Sequence, residues 1–260
     1  IAIILVGLSV QYILDGIKNF IGWSNMGRIS EKNIFYKPYL YYNLYIRHKA
    51  LKKRSTYSQN QEDLFINDYF KEKDKGFYID IGCYHPIKYS NTALLYNKGW
   101  HGINIDMNQT SIDLFNILRK RDKNICAAIS NTSGETTQYF DHLFSPINTL
   151  DKKFSAIASK KFSIGKQKEK KIYTYKFNQI IQKYNIKIKQ IDFINIDVEA
   201  HDLEVLEGID LSLFNAKILC VEITNNQNNI KEKKLRDYLN KYNYDLIKTD
   251  GLNGFFELRD

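Results

Sequence analysis

Acidic residues close several apolar runs of this chain: Asp80, Asp106, Asp197, Glu199 and Glu222. In an open α/β sheet such positions face the ligand crevice beyond the strand carboxyl ends. A carboxylate there can accept ribose hydroxyls, take a proton, or ligate a hard cation. His201 and Asp202 follow Glu199 directly and add an imidazole and a further acid. On a strand, Asp197 and Glu199 would point to one face, being two residues apart. Asp197, Glu199 and His201 are therefore candidates for general-base chemistry. Glu222 could instead join Asp197 and Glu199 in holding Mg²⁺. The alternative for His201 and Asp202 is that they cap the next helix.

Two strands must position the first pair of acids. Phe77–Ile81 is apolar except for Asp80, and Gly82 and Pro86 turn the chain after it. Ile103–Ile105 is a second short strand that ends at Asp106. The gap between them accommodates a crossover helix, so the stretch reads as one βαβ unit. An acid at the end of the second strand of such a unit commonly holds a ribose, and a glycine turn lets the ligand approach the backbone. The pattern suggests a nucleoside-bearing cofactor, although there is no GxGxxG. The alternative is a plain parallel sheet whose acids solvate its strand ends.

The chain has 260 residues, 43% of them hydrophobic, enough for one large α/β domain with an appendage. The net charge of +9 favours acidic partners. Its lysines are scattered and no nucleic-acid motif accompanies them, so a solvated basic surface is the simpler reading. Cys83, Cys126 and Cys220 are too far apart for a zinc motif or a disulfide framework, which suits a reducing compartment.

Ile1 stands where a methionine would start a complete chain, so the sequence reads as a fragment. Ile1–Leu14 is apolar but shorter than the roughly 20 residues of a membrane span. It suits the tail of a span, an interfacial helix or a packed helix. The basic flank Lys52-Lys53-Arg54 would then place the rest in the cytoplasm, at the inner face of a membrane. Residues 1–54 thus form a helical extension with a potential peripheral or anchored membrane contact. Its tyrosine-rich part suggests a helix after Pro38 that docks on the domain.

Residues 55–260 form the main domain. Ser58 and Gln61 suggest a capping box, Ser90-Asn91-Thr92 cap a crossover helix ended by Gly99, and Thr110 and Asp113 cap another. Further strands are expected at Ile125–Ile129, near Gln138–Phe140, and at Ile172–Phe177, Ile191–Val198, Lys217–Ile223, Tyr244–Ile247 and Gly254–Leu258. Residues 145–171 are basic and weakly periodic, which suggests a long loop with a short helix, either a lid or a solvated insertion.

From Tyr57 onward the chain resembles the FkbM family of S-adenosylmethionine-dependent methyltransferases. The resemblance rests on YSQNQEDL, GFYIDIGCYHPIKYSNTALLY, KGWHGINIDM, AAISNTSGE, NTL and IDFINIDVEAHDLEVLEG. It implies a class I methyltransferase fold: a Rossmann-like, doubly wound, seven-stranded sheet whose last strand is antiparallel. It implies O-methyl transfer to a small-molecule or glycan acceptor, frequently a sugar in a polysaccharide or glycosylated metabolite. Under it, Asp80, Gly82 and His85 would attend the methionine end of S-adenosylmethionine, and Asn91 would be a further cofactor-binding residue. Asp106 would take the ribose with Met107 beside it, and Ser130 would lie near the adenine. Asp197 and Glu199 would face the methyl group. Three positions depart from the pattern: Ala200 replaces a glycine, Met107-Asn108 replace a proline, and Asn195 stands where lysine or serine is frequent. Ala200 fits only if its φ is negative. A reading from another class is a methyltransferase fold that binds glycan without chemistry. Retention of Asp106 and of the Asp197/Glu199 pair favours the enzyme.

Overall fold

The structure is a computed structural model that describes residues 31–49, 51, 54–223 and 230–259. The apolar Ile1–Leu14 and the basic Lys52-Lys53 lie outside them. Among the described residues no helix is long and apolar enough to cross a membrane.

A seven-stranded sheet dominates. Its strands are β1 (Phe77–Ile81), β2 (His101–Asp106), β3 (Lys123–Cys126), β7 (Ile191–Ile196), β8 (Ala216–Glu222), β9 (Tyr244–Thr249) and β10 (Asn253–Leu258). The spatial order is β3-β2-β1-β7-β8-β10-β9. Pairs from β3 to β8 are parallel, and β10 runs antiparallel to both β8 and β9. The order reverses between β1 and β7, and a crevice opens at such a switch point beyond the carboxyl ends. This is the class I methyltransferase topology, with the last strand antiparallel as expected.

Apolar layers cover both faces of the sheet. Ile79, Ile81, Ile194, Ile196 and Leu219 pack on one side, and Tyr78, Trp100, Phe193, Ile218 and Phe255 on the other. Every residue of β7 is buried. Its Asp192 is tolerated there because its carboxylate accepts the Phe77 N–H at 2.9 Å and the Lys73 ammonium at 2.5 Å.

Helix α1 (Tyr36–Tyr42) continues as a π-helical turn, Asn43–Arg47. It does dock on the domain, through Tyr36, Tyr39, Leu40 and Leu44 against Leu114 of α4 (Gln109–Leu118). The Tyr36 hydroxyl donates to Asp113 Oδ2 at 2.7 Å. A hydrogen bond to a charged group contributes about 1.5–3 kcal/mol. Tyr36→Phe should therefore lower the urea midpoint by a stability loss of about 1.5 kcal/mol or more. An unchanged midpoint would mean the docking rests on apolar contact alone.

Several local expectations are corrected. Helix α2 (Glu62–Tyr69) starts after Gln61, whose φ is 67°, and no capping box forms. Ser58 and Thr56 hydroxyls and the Tyr57 N–H all turn to the Asp63 carboxylate. Helix α3 (Ala93–Lys98) has no side-chain cap, because Thr92 donates to Asp80. Asn108, rather than Thr110 or Asp113, caps α4 by accepting the Thr110 N–H. The run Ile125–Ile129 splits at Ala127, whose N–H goes to Asp106 O. Its second part, β4 (Ala128–Ile129), joins β5 (Gly134–Phe140) and β6 (Lys168–Tyr175) in a separate three-stranded sheet. The basic stretch 145–171 does hold a short helix, α5 (Lys152–Lys161), but its end is the start of β6 rather than loop. Helix α6 (Phe177–Lys183) then leads to β7, which ends at Ile196, before Asp197.

Candidate active site

A cavity opens at the switch point. Its wall includes Gly82, Tyr84, Asp106, Met107, Asn108, Ser111, Asn148, Asp197, Glu199 and His201. The segment carrying Ser145, Pro146, Asn148 and Leu150 roofs it. Asn108 donates to Leu143 O at 2.5 Å, which fastens that roof to the start of α4.

Gly82 shapes the floor. Its φ is +81°, a conformation a side chain strains, and a Cβ there would lie 1.8 Å from Asp197 O. Bare backbone is therefore obligatory where β1 and β7 end side by side.

Asp106 is fixed from both sides. Oδ2 accepts the Tyr84 N–H at 2.9 Å and Oδ1 the Asn108 N–H at 2.7 Å. The Ser111 hydroxyl adds a third hydrogen bond. Enclosure by protein nonetheless pushes its pKa up to about 6, outweighing these donors. Each oxygen keeps acceptor capacity toward the cavity.

Asp197 and Glu199 face the same space, but not as neighbours on a strand. They lie on the loop between β7 and α7 (Asp202–Gly208), where Glu199 has φ 56° and Ala200 φ 70°. The requirement for a negative φ at Ala200 is thus not met. Two successive left-handed residues cost of order 1–2 kcal/mol each. Thr149, fully buried, donates its hydroxyl to Glu199 O at 2.7 Å, and Asp202 Oδ1 accepts the Val198 N–H at 3.2 Å. These bonds hold the loop in its strained form.

Crowding of acids raises both carboxyl groups. Enclosure and then Glu222 lift Asp197 to about 8, and enclosure and then Asp197 lift Glu199 to about 9. Asp197 is itself exposed, so solvent screens its rise and only the upward direction carries weight there, while Glu199 is half-buried. Asp202, buried beside them, is also raised well above the usual range. The direction is the same for all three: each is a better proton acceptor than an ordinary carboxylate.

His201 lines the cavity and does not cap α7 with its side chain. Its Nε2 lies 3.0 Å from Ser130 Oγ, and its Nδ1 3.7 Å from the Glu204 carboxylate. Asp202 likewise bonds back to Val198 rather than capping the helix.

The other candidates sit behind the wall. Asp80 accepts Thr92 Oγ1 at 2.7 Å and Asn195 Nδ2 at 2.9 Å, and Asn195 Oδ1 accepts Asn91 Nδ2 at 2.9 Å. This buried network ties β1 to β7. His85 is buried against Asn43, and Ser130 is reached through His201. None of Asp80, His85, Asn91 and Ser130 lines the cavity. Tyr84, Asn108, Ser111 and Asn148 do, without having been singled out. Tyr84 and Asn108 could have been found as the residues flanking Gly82 and Asp106, and Asn148 from the NTL motif.

The donor set does not suit a metal. Among the described residues, no group of three or more His, Cys, Asp or Glu could hold an ion. Asp197, Glu199 and Glu222 therefore lack the convergence that Mg²⁺ coordination requires.

Residues 80–246 match a family model described as a methyltransferase FkbM domain. Comparison with curated proteins finds no match. Among solved structures, the chain is similar to a TehB-like SAM-dependent methyltransferase from Corynebacterium glutamicum, at 11% identity and TM-score 0.43, over 86% of this chain and 98% of that one. It is also similar to a putative caffeoyl-CoA O-methyltransferase from Staphylococcus aureus, at 13% identity and TM-score 0.41, over 96% and 99%.

Proposed function

From the premise that this chain belongs to the FkbM family of S-adenosylmethionine-dependent methyltransferases, we propose that it methylates an oxygen of a sugar-bearing acceptor, in a glycan, polysaccharide or glycosylated metabolite. The observation that carries the oxygen is the pair Asp197 and Glu199 at the cavity wall, with proton affinities raised by enclosure and mutual repulsion. A hydroxyl must lose a proton as it is methylated, and a base with a pKa near or above neutrality serves that step best.

The residues fit the cofactor. Gly82 leaves open backbone at the crevice and Asp106 offers two anchored oxygens to a ribose. When bound, S-adenosylmethionine supplies an electrophilic methyl group on a sulfonium centre. This chain's own residues position the acceptor hydroxyl and take its proton at Glu199 or Asp197, with His201 as the third candidate. The sugar is a matter of family likeness.

Thr149 has a supporting part, since its hydroxyl holds the Glu199 carbonyl. Thr149→Val should lower turnover about tenfold while S-adenosylhomocysteine affinity stays within about threefold, and Thr149→Ser should restore turnover. Equal loss of affinity and turnover would make Thr149 a general structural residue instead.

The proposal is tested by incubating the protein with methyl-labelled S-adenosylmethionine and a panel of glycosides and polysaccharides. Label on a sugar oxygen, located by NMR, is the expected result. Label on nitrogen alone, or cofactor binding with no transfer to any sugar, would contradict it, and the second outcome would select the glycan-binding module.

A further inference from the structure

A second cavity, of about 230 Å³, shares Tyr84, Ser111 and Pro146 with the first. One side comes from the N-terminal extension, with Asn43, Arg47 and His48, and the other from the loop after β1, with His85 and Lys88. It is where the extension meets the catalytic domain.

Its charge is one-sided. No Asp or Glu stands among its described lining residues. Arg47 sits exposed at the mouth and donates to the Tyr39 hydroxyl at 3.1 Å. Lys88 is half-buried, with Nζ 4.6 Å from the Tyr89 ring centroid and 5.9 Å from that of Tyr84. These contacts position the two cations without neutralising either.

Three histidines line the cavity, and burial holds each below the usual imidazole range; for His142 the Asp141 carboxylate, 3.5 Å from its Nε2, works against that lowering. His85 Nδ1 accepts the Ile87 and Lys88 N–H groups at 3.2 and 3.1 Å, so Nε2 carries the proton and donates to Asn43 Oδ1 at 2.9 Å. His48 packs edge-on against His85, their centroids 5.1 Å apart. Burial, Arg47 and Lys88 together push its pKa down to about 4. Two cationic side chains therefore face one cavity with no acid among its described lining residues, the nearby Asp141 carboxylate being engaged with His142, and burial and then Arg47 lower the pKa of Lys88. Such a pair is costly alone and favourable around an anion.

We propose that this cavity binds a phosphate group between Arg47 and Lys88. Charge decides the class of anion. A phosphate monoester carries about −1.5 to −2 at neutral pH and balances both cations, whereas a carboxylate would leave one uncompensated. The guanidinium fork and the ammonium suit the several oxygens of phosphate. Occupancy would bind the extension to the domain beside the cofactor cavity.

The full chain can be titrated by calorimetry with inorganic phosphate, glucose 1-phosphate and glucose, each with and without saturating S-adenosylhomocysteine. Both phosphates should bind in either condition, and glucose should not. Lys88→Gln and Arg47→Gln should each weaken phosphate binding about tenfold or more, with S-adenosylhomocysteine affinity within about threefold of the parent. Tighter binding of glucose 1-phosphate than of phosphate would identify a phosphorylated saccharide as the source, and equal binding the free ion. The phosphate-dependent rise in the parent's melting temperature gives a second readout should either variant fold poorly. Absence of phosphate binding by the parent, or variants that bind like the parent, would overturn the proposal. So would mutual exclusion of phosphate and S-adenosylhomocysteine, which would make the cavity a seat for the cofactor's own carboxylate. Failure of S-adenosylhomocysteine alone to bind would strike the methyltransferase reading and leave this site standing.

Discussion

Glu199→Gln and Asp197→Asn are each expected to lower turnover at least ~100-fold, a loss of about 2.7 kcal/mol in transition-state stabilisation. Both carboxylates line the cavity, and both are raised by enclosure and by nearby acids. The amides keep shape and remove the proton acceptor. Cofactor affinity should change far less, because Asp106 and Gly82 are untouched. Turnover within a few-fold of the parent in both variants would move the chemistry to His201 or elsewhere.

The pH dependence gives an independent readout on the same pair. Below the ordinary carboxylate range, Glu199 is protonated whether the chain is folded or not. Between that range and its raised value of about 9, the folded protein holds a proton that the unfolded chain releases. Stability is therefore greatest at the acid side of this window and is lost as pH rises through it. Turnover runs the other way, since only the deprotonated form is a base, and should climb across the same window. Glu199→Gln should flatten both slopes. A parent whose stability rises steadily with pH from 5 to 9 would contradict the raised value.

The strand-end acids were legible because β1 and β7 are largely apolar and end abruptly, and because the short Ile103–Ile105 stretch of β2 runs straight into Asp106. Gly82 and Asp106 were found for the same reason. What failed was local geometry decided by tertiary partners. Ser58 looks like a helix cap by spacing, yet the Asp63 carboxylate draws in Ser58, Thr56 and the Tyr57 N–H together. The start of β6 was hidden because Lys168–Lys171 are all exposed and show no alternation. Only pairing with β5, Gln138 with Lys170 and Phe140 with Lys168, makes that stretch a strand.

The site was legible in its acids and not in its loop. Spacing puts Asp197 and Glu199 on one face of a strand, but the strand stops at Ile196. The left-handed pair Glu199-Ala200 is held by Thr149, far away in sequence, and no pattern near residue 199 announces it. Asp80, His85 and Asn91 are close to the crevice in sequence. Their polar atoms are spent on Thr92, Asn195, Asn43 and nearby backbone N–H groups, a satisfaction that only the packed structure reveals.

The central claim is that this cavity takes S-adenosylmethionine with its ribose on Asp106. Two hydroxyls donating to a carboxylate contribute roughly 1.5–3 kcal/mol each. Asp106→Ala removes both and also frees the Tyr84 and Asn108 N–H groups, so circular dichroism and a melting curve must first show a folded variant. Calorimetry with S-adenosylhomocysteine is then decisive. The parent should bind, and Asp106→Ala should bind at least ~10-fold more weakly. A parent that does not bind, or a folded Asp106→Ala with the parent's affinity, would contradict the claim.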